Sequence, residues 1–213
     1  ITGSGECVSA SKNISGFKSI SVHNGCRAEI TKGDTYSVSI YTDDNIQTYV
    51  ETWKEGTTLN IGLEPANSYQ PTQFKAFITC PDIVGLSGSG GSSLKFTDTE
   101  KVSKHTISLS GGSTYCGTIA ADTIDASLSG GSDCTITGTV SYFKITGSGG
   151  SECGARNLTA SNCKSSLSGG SKAVAIVNTE LRGELSGGSE FFYFGTPAIK
   201  VNTSGGSVVK KMN

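Results

Sequence analysis

No stretch of the 213-residue chain approaches the ~20 consecutive apolar residues that a membrane-crossing helix needs. Neither sign of charge is in excess. Seventeen lysines and arginines face 18 aspartates and glutamates, so the concentrated basic surplus of a nucleic-acid binder is missing. The seven cysteines (Cys7, Cys26, Cys80, Cys116, Cys134, Cys153 and Cys163) form no C-x-x-C pair, which argues against a zinc site of the usual spacing. Histidine occurs only at His23 and His105, and there is no G-x-S-x-G elbow of the serine hydrolases. The glycine-rich segments do not open onto a G-K-[ST] helix start, so they are not phosphate cradles. The chain opens directly at Ile1-Thr2-Gly3-Ser4-Gly5, as a trimmed mature protein would, and this start does not decide its compartment.

What the chain does have is glycine, 29 residues of it, about twice the ordinary share of roughly 7%. Much of it lies in the tetrad Ser-Gly-Gly-Ser, which starts at Ser89, Ser110, Ser129, Ser148, Ser168, Ser186 and Ser204. The intervals are 21, 19, 19, 20, 18 and 18 residues, and self-similarity at such a period marks a solenoid or array.

Residues around the tetrads alternate in polarity. Five before each stand Val84, His105, Ile124, Phe143, Cys163, Leu181 and Ile199, and one before stand Leu109, Leu128, Leu167 and Leu185. Polar residues fill the places between, for example Ser108, Ser127, Thr146, Ser166 and Glu184. Five places after the first serine come Leu94, Tyr115, Cys134, Cys153, Ala173, Phe191 and Val209. A period of two on both sides of a glycine corner reads as strand, corner, strand. Glycine suits the corner because it accepts positive φ and lets stacked backbones approach. The predicted fold is all-β: a parallel β-helix (β-solenoid) with about 18–21 residues per coil, stacked at about 4.8 Å and right-handed, as parallel crossovers are.

The first 85 residues are less regular and predict an N-terminal β-rich cap with a hairpin, residues 86–213 being the regular repeats of a single domain, 1–213. Ile20-Ser21-Val22-His23-Asn24-Gly25-Cys26 aligns with Ile107-Ser108-Leu109-Ser110-Gly111-Gly112-Ser113, asparagine replacing a glycine that needs positive φ. Strands are expected around Tyr36–Ile40, Leu59–Ile61 and Phe74–Ile78, with turns at Lys32-Gly33-Asp34 and Glu55-Gly56. Asp43-Asp44-Asn45 predicts a cap for one short helical turn before Tyr49.

Gly3-Ser4-Gly5, Gly16-Phe17-Lys18-Ser19-Ile20-Ser21-Val22, Thr31-Lys32-Gly33-Asp34, Cys80-Pro81 and the tetrad series together resemble one known family. It is the putative auto-transporter adhesin family, head GIN domain, and the likeness covers nearly the whole chain. The resemblance implies an exported protein of a Gram-negative bacterium, in the periplasm, outer membrane or cell surface, with a lipid anchor upstream in many members. It carries over no catalytic or ligand residues.

Some β-helices are polysaccharide lyases or hydrolases, so a glycan-active enzyme is the rival class. Its carboxylates would have to gather on one face, yet Asp98, Glu100, Asp122, Asp125, Asp133, Glu152, Glu180, Glu184 and Glu190 are scattered. Only Asp133 and Glu152 fall on neighbouring rungs of one column, about 5 Å apart, and they read as solvated turn residues. The aspartates do not recur with the nine-residue period of a calcium β-roll. His105 falls in an inward column and reads as a core histidine, and Trp53 lies in the hairpin as core or as a sugar platform. The cysteines of the inward columns read as core thiols. Cys134 and Cys153, one rung apart, are the pair to check, since adjacent rungs bring Cα atoms near the ~4.4–6.8 Å that a disulfide spans.

The expected role is that of a non-catalytic cell-envelope protein, without a cofactor or metal, presenting a polar surface to an extracellular glycan, a lipid headgroup or a surface protein. One column stands out as the candidate contact. Four residues before the tetrads stand Lys144, Lys164, Arg182 and Lys200, preceded by Thr106 and Asp125. Stacking would place these cations in a file with steps of about 5 Å, splayed into water and meeting carboxylates such as Glu184.

Overall fold

Every tetrad is a corner at which two successive residues take the left-handed backbone, with φ +61° and +72° at Gly130-Gly131. The computed structural model describes residues 1–65 and 67–213, the side chains of 97–101 excepted, so the side chains of Asp98 and Glu100 lie outside the described residues. The two glycines of a corner do different work. A Cβ on Gly130 would stand 3.1 Å from the Gly111 nitrogen of the rung below, whereas one on Gly131 would meet nothing within 4 Å. The first position needs both close approach and positive φ, and the second needs only positive φ. The Gly131 amide then donates to the Gly149 carbonyl of the next rung at 3.0 Å, and the pattern recurs along the stack. The closing serine turns inward: Ser132 is buried, and its hydroxyl donates to the Ser129 carbonyl at 2.7 Å, which satisfies an otherwise costly polar burial.

Strands connect the corners. In chain order they are β1 (Cys7–Ser11), β2 (Ser19–Val22), β3 (Arg27–Lys32) and β4 (Ser37–Asp43), then the single helical turn α1 (Asp44–Gln47). Next come β5 (Val50–Glu55), β6 (Thr58–Leu63), β7 (Phe74–Cys80) and β8 (Gly85–Gly88). The long strands β9 (Ser93–Leu109), β10 (Thr114–Leu128), β11 (Asp133–Gly147), β12 (Glu152–Leu167) and β13 (Lys172–Leu185) each run from one corner to the next. The series closes with β14 (Glu190–Phe194), β15 (Ala198–Thr203) and β16 (Val208–Lys211). From β8 onward the pairs are parallel, as a β-solenoid requires. β10 shows how a long strand turns. In β10 the inward residues Tyr115, Ile119 and Ala121 give way to Ile124, Ala126 and Leu128, a slip of one place at Asp122-Thr123 that forms the second corner of the coil.

The first coil lies inside the irregular region. Asn24 has φ +58° and Gly25 +74°, so β2, this corner and β3 form a rung onto which β8 and β9 stack. Corner side chains at the first position project toward the preceding rung, and only the outermost rung has room there. Asn24 uses that freedom: its Oδ1 accepts the Leu63 amide at 3.1 Å. The cap extends both faces of the solenoid. On one, β6 pairs β2 in parallel and β5 closes a hairpin; on the other, β7 pairs β3, followed by antiparallel β4 and β1. One apolar core runs from Phe17 to Phe191.

Two expectations need correction, the inward placing of Val84 and Ile199 and the capping role of Asp43. Val84 points outward because Ile83 takes the inward place, and Ile199 is exposed because it stands on the last rung. Of the two readings left open for Trp53, its exposure on β5 excludes the core. The Asp43 side chain makes no helix-capping bond, and instead accepts the amides of Gly5 and Thr72 at 2.8 Å each. The thiols follow the expectation: Cys26, Cys80, Cys134, Cys153 and Cys163 are buried, Cys116 is exposed and Cys7 half-buried, and all seven are free. Cys134 and Cys153 are cross-rung partners in the core, and burial pushes the Cys134 thiol well up. Burial likewise holds the Cys26 and Cys80 thiols at about 12.

Candidate binding face

The strand segments that lead into the glycine corners (β2, β8, the last residues of β9 to β13, and β15) form one continuous sheet whose outward side is polar throughout. Alternation dictates this. With Leu109, Leu128 and Leu167 inward, the residues four before, two before and at the first serine must face out. The middle file is Ser21, Ser87, Ser108, Ser127, Thr146, Ser166, Glu184 and Asn202, all in cross-rung register. Beside it run His23 and the first serines of the tetrads. His23 Nδ1 lies 2.7 Å from Ser89 Oγ and its Nε2 lies 3.2 Å from Ser21 Oγ, so the imidazole joins the two files at their first rung. Burial lowers the His23 pKa. This role was readable from its alignment with Ser110.

The third file holds the cations. Thr106, Asp125, Lys144, Lys164, Arg182 and Lys200 are successive register partners, so the expected stacking of the four basic residues is the observed one. Their counter-charges differ from the expectation. Lys144 Nζ pairs with Asp125 at 3.1 Å, Lys200 Nζ with Glu180 at 2.7 Å, and Arg182 also binds Glu180. Glu184 is not their partner. Glu180 lies two residues before Arg182 on the same strand face, a spacing that the sequence already contains. Hydrogen bonds from Arg182 and Lys200 hold the Glu180 carboxyl below its ordinary value. Among the described residues no carboxylate pairs with Lys164, which stands mid-file and exposed.

Four grooves follow one another along this face. The first, about 430 Å³, is lined by both serine files from Ser21 to Ser148 together with His23, Leu109 and Leu128, and has no lysine or carboxylate in its wall. A second of about 330 Å³ adjoins it near Gly85. The third, about 490 Å³, lies between Lys144, Lys164, Lys200, Glu184 and Asn202, and a fourth of about 300 Å³ continues past Ser186. The face thus changes character along the axis, from neutral hydroxyls to net positive charge.

Among the described residues the candidate catalytic side chains are not assembled. Asp133 and Glu152 are adjacent in register but sit on the open face of the strands beyond the corner, followed in the file by Lys172, which pairs with Glu190 at 3.1 Å. His105 is fully buried with its ring stacked on Phe96, centroids 5.8 Å apart. Among the described residues no three His, Cys, Asp or Glu side chains gather closely enough to hold a metal ion. Among them, too, no helix is long and apolar enough to cross a membrane.

The family described as putative auto-transporter adhesin, head GIN domain, matches residues 16–197. Among solved structures, a putative adhesin of Bacteroides fragilis aligns over 100% of both chains with a TM-score of 0.93 at 18% identity. A putative lipid binding protein of Parabacteroides distasonis aligns over 100% of this chain and 99% of its own, with a TM-score of 0.78 at 22% identity. A putative adhesin of Parabacteroides merdae covers the same shares with a TM-score of 0.75 at 18% identity. At these identities the likeness establishes the fold. No protein of curated function matches the chain in sequence.

Proposed function

The chain belongs to the putative auto-transporter adhesin family, head GIN domain, and we propose that it is an exported, non-catalytic binding protein that holds an anionic polysaccharide along its polar sheet face. The observation that carries this reading is the file Lys144, Lys164, Arg182 and Lys200 above the 490 Å³ groove, with Lys164 unpaired among the described residues. Rungs about 4.8 Å apart match an extended, repeating ligand better than a compact one. Each contact would be weak, and several along one chain add. The name of the Parabacteroides distasonis neighbour raises a lipid instead. The groove beside the cation file is bordered by Lys144, Lys164, Lys200, Glu184 and Asn202, charged and polar groups that suit a polysaccharide better than an acyl chain.

The test is binding of a sulfated and a carboxylated polysaccharide at low ionic strength, with anionic liposomes as the comparison. Binding should weaken as salt is raised, and K144A/K164A/K200A should abolish it. Among single changes K164A should cost the most, on the order of tenfold, because Asp125 and Glu180 already hold Lys144 and Lys200. Wild-type protein that binds neither polysaccharide at low salt overturns the proposal, and binding to liposomes alone transfers the face to lipid.

A further inference from the structure

Both ends of this solenoid expose strand edges, and the two ends are complementary. Among the described residues β1 pairs only β4 and β5 only β6 at the capped end, while β15 pairs only β13 and β16 only β14 at the other. Each of these four edge strands leaves a row of backbone N–H and C=O groups without a strand partner, the arrangement that templates pairing with another chain. They also carry four of the large exposed apolar side chains: Val8 (42% exposed) on β1, Trp53 (43%) on β5, Ile199 (43%) on β15 and Val208 (44%) on β16. Isolated exposed apolar residues are ordinary, but one on each free edge is a pattern.

Length and charge decide which edges fit. On the sheet that bears the binding face, the capped end offers β5 with six residues and the far end offers β15 with six. On the other sheet β1 has five and β16 has four. The outward residues of β5 include Glu51 and Glu55, and Glu6 immediately precedes β1. The far end carries Lys200 on β15, which shares the single carboxylate of Glu180 with Arg182 so that this trio stays net positive, and Lys210 and Lys211 on β16, with no carboxylate side chain on either strand. Lys54 and Lys12 temper the acidic end, and Lys54 Nζ is already bound to the Ser15 carbonyl. Two far ends face to face would oppose three lysines with three, which like-charge repulsion disfavours. A capped end against a far end opposes glutamates with lysines. The chain directions allow it: β1 runs parallel to the solenoid strands and β5 antiparallel, so one junction is parallel and the other antiparallel.

We propose that a second copy of this chain docks head to tail, β5 and β1 of one copy adding to β15 and β16 of the next. Such a contact is heterologous and does not close on itself, so it propagates as a linear array. The array would place successive binding faces end to end, an advantage that does not depend on what the face binds.

Sedimentation velocity over a concentration series tests this. Wild-type protein should grow through dimer and larger species as concentration rises, and shrink as salt is added. The head variant E51K/E55K and the tail variant K200E/K210E should each raise the apparent dissociation constant at least tenfold while keeping the wild-type circular dichroism spectrum. An equimolar mixture of the two still contains an intact head and an intact tail, and should recover association. A monomer at every concentration, a closed dimer, self-association of E51K/E55K at wild-type strength, or failure of the mixture to recover association each overturns the proposal. Because these readouts use no polysaccharide, failure here is separate from failure of the binding proposal.

Discussion

Asp43 shows how one residue can secure an irregular region. Its carboxylate is fully buried and accepts the Gly5 amide through Oδ1 and the Thr72 amide through Oδ2, each at 2.8 Å, clamping two distant segments to the end of β4. Gly3 packs so close that an added Cβ would lie 2.5 Å from the carboxyl group. Burial pushes the pKa up, but the bonds from Gly5, Thr72 and Gln73 outweigh it and hold the carboxyl below its ordinary value. A folded pKa below the unfolded one means that the stabilisation is present above about pH 3.9 and is lost as pH falls through the folded value. D43N should therefore lower the urea midpoint at pH 7, and the gap from wild type should narrow as pH drops below about 4. A gap of equal size at pH 7 and pH 2.5 would show that the clamp does not depend on charge.

At the scale of the element, the glycine corner separates two demands that the tetrad spells with the same letter. G131A should cost about 1–2 kcal/mol, the strain of a left-handed residue with a side chain. G130A adds a contact at 3.1 Å with the rung below and should cost more, about 2–3 kcal/mol. Asparagine tolerates this backbone, as Asn24 does, so G131N should be milder than G131A and G130N should not. Urea unfolding of the four variants checks the order, and equal losses at both positions would refute the division of labour. The inward column after the corner places three small residues between large ones, with Leu94, Tyr115, Cys134, Cys153, Ala173 and Phe191 on successive rungs, all buried. Small thiols beside rings fill such a ladder without polar cost. Thiol titration of the denatured, unreduced protein should return seven groups, and three disulfides with one thiol would contradict the packing described.

Across the whole molecule, a solenoid converts position in the repeat into position on the cross-section, and for that reason much of this protein can be read from its chain. The interval between tetrads determined the coil, the period of two determined which columns face in, and both together suffice to place Lys144, Lys164, Arg182 and Lys200 in one file. His23 was legible in the same way, once Ser21-Val22-His23 is laid over Ser108-Leu109-Ser110. Where the period stops, so does that reading. The placement of β7 between β3 and β4, and of β6 beside β2, rests on pairings between distant segments that no repeat announces. The choice of Glu180 rather than Glu184 as counter-charge depended on side-chain reach across a twisted sheet. The sequence by itself therefore determined the repeating coil and its columns, because local alternation and backbone φ suffice for them. Only the tertiary structure decided how the ends are finished and which charges remain unpaired, because both depend on contacts between residues far apart in the chain.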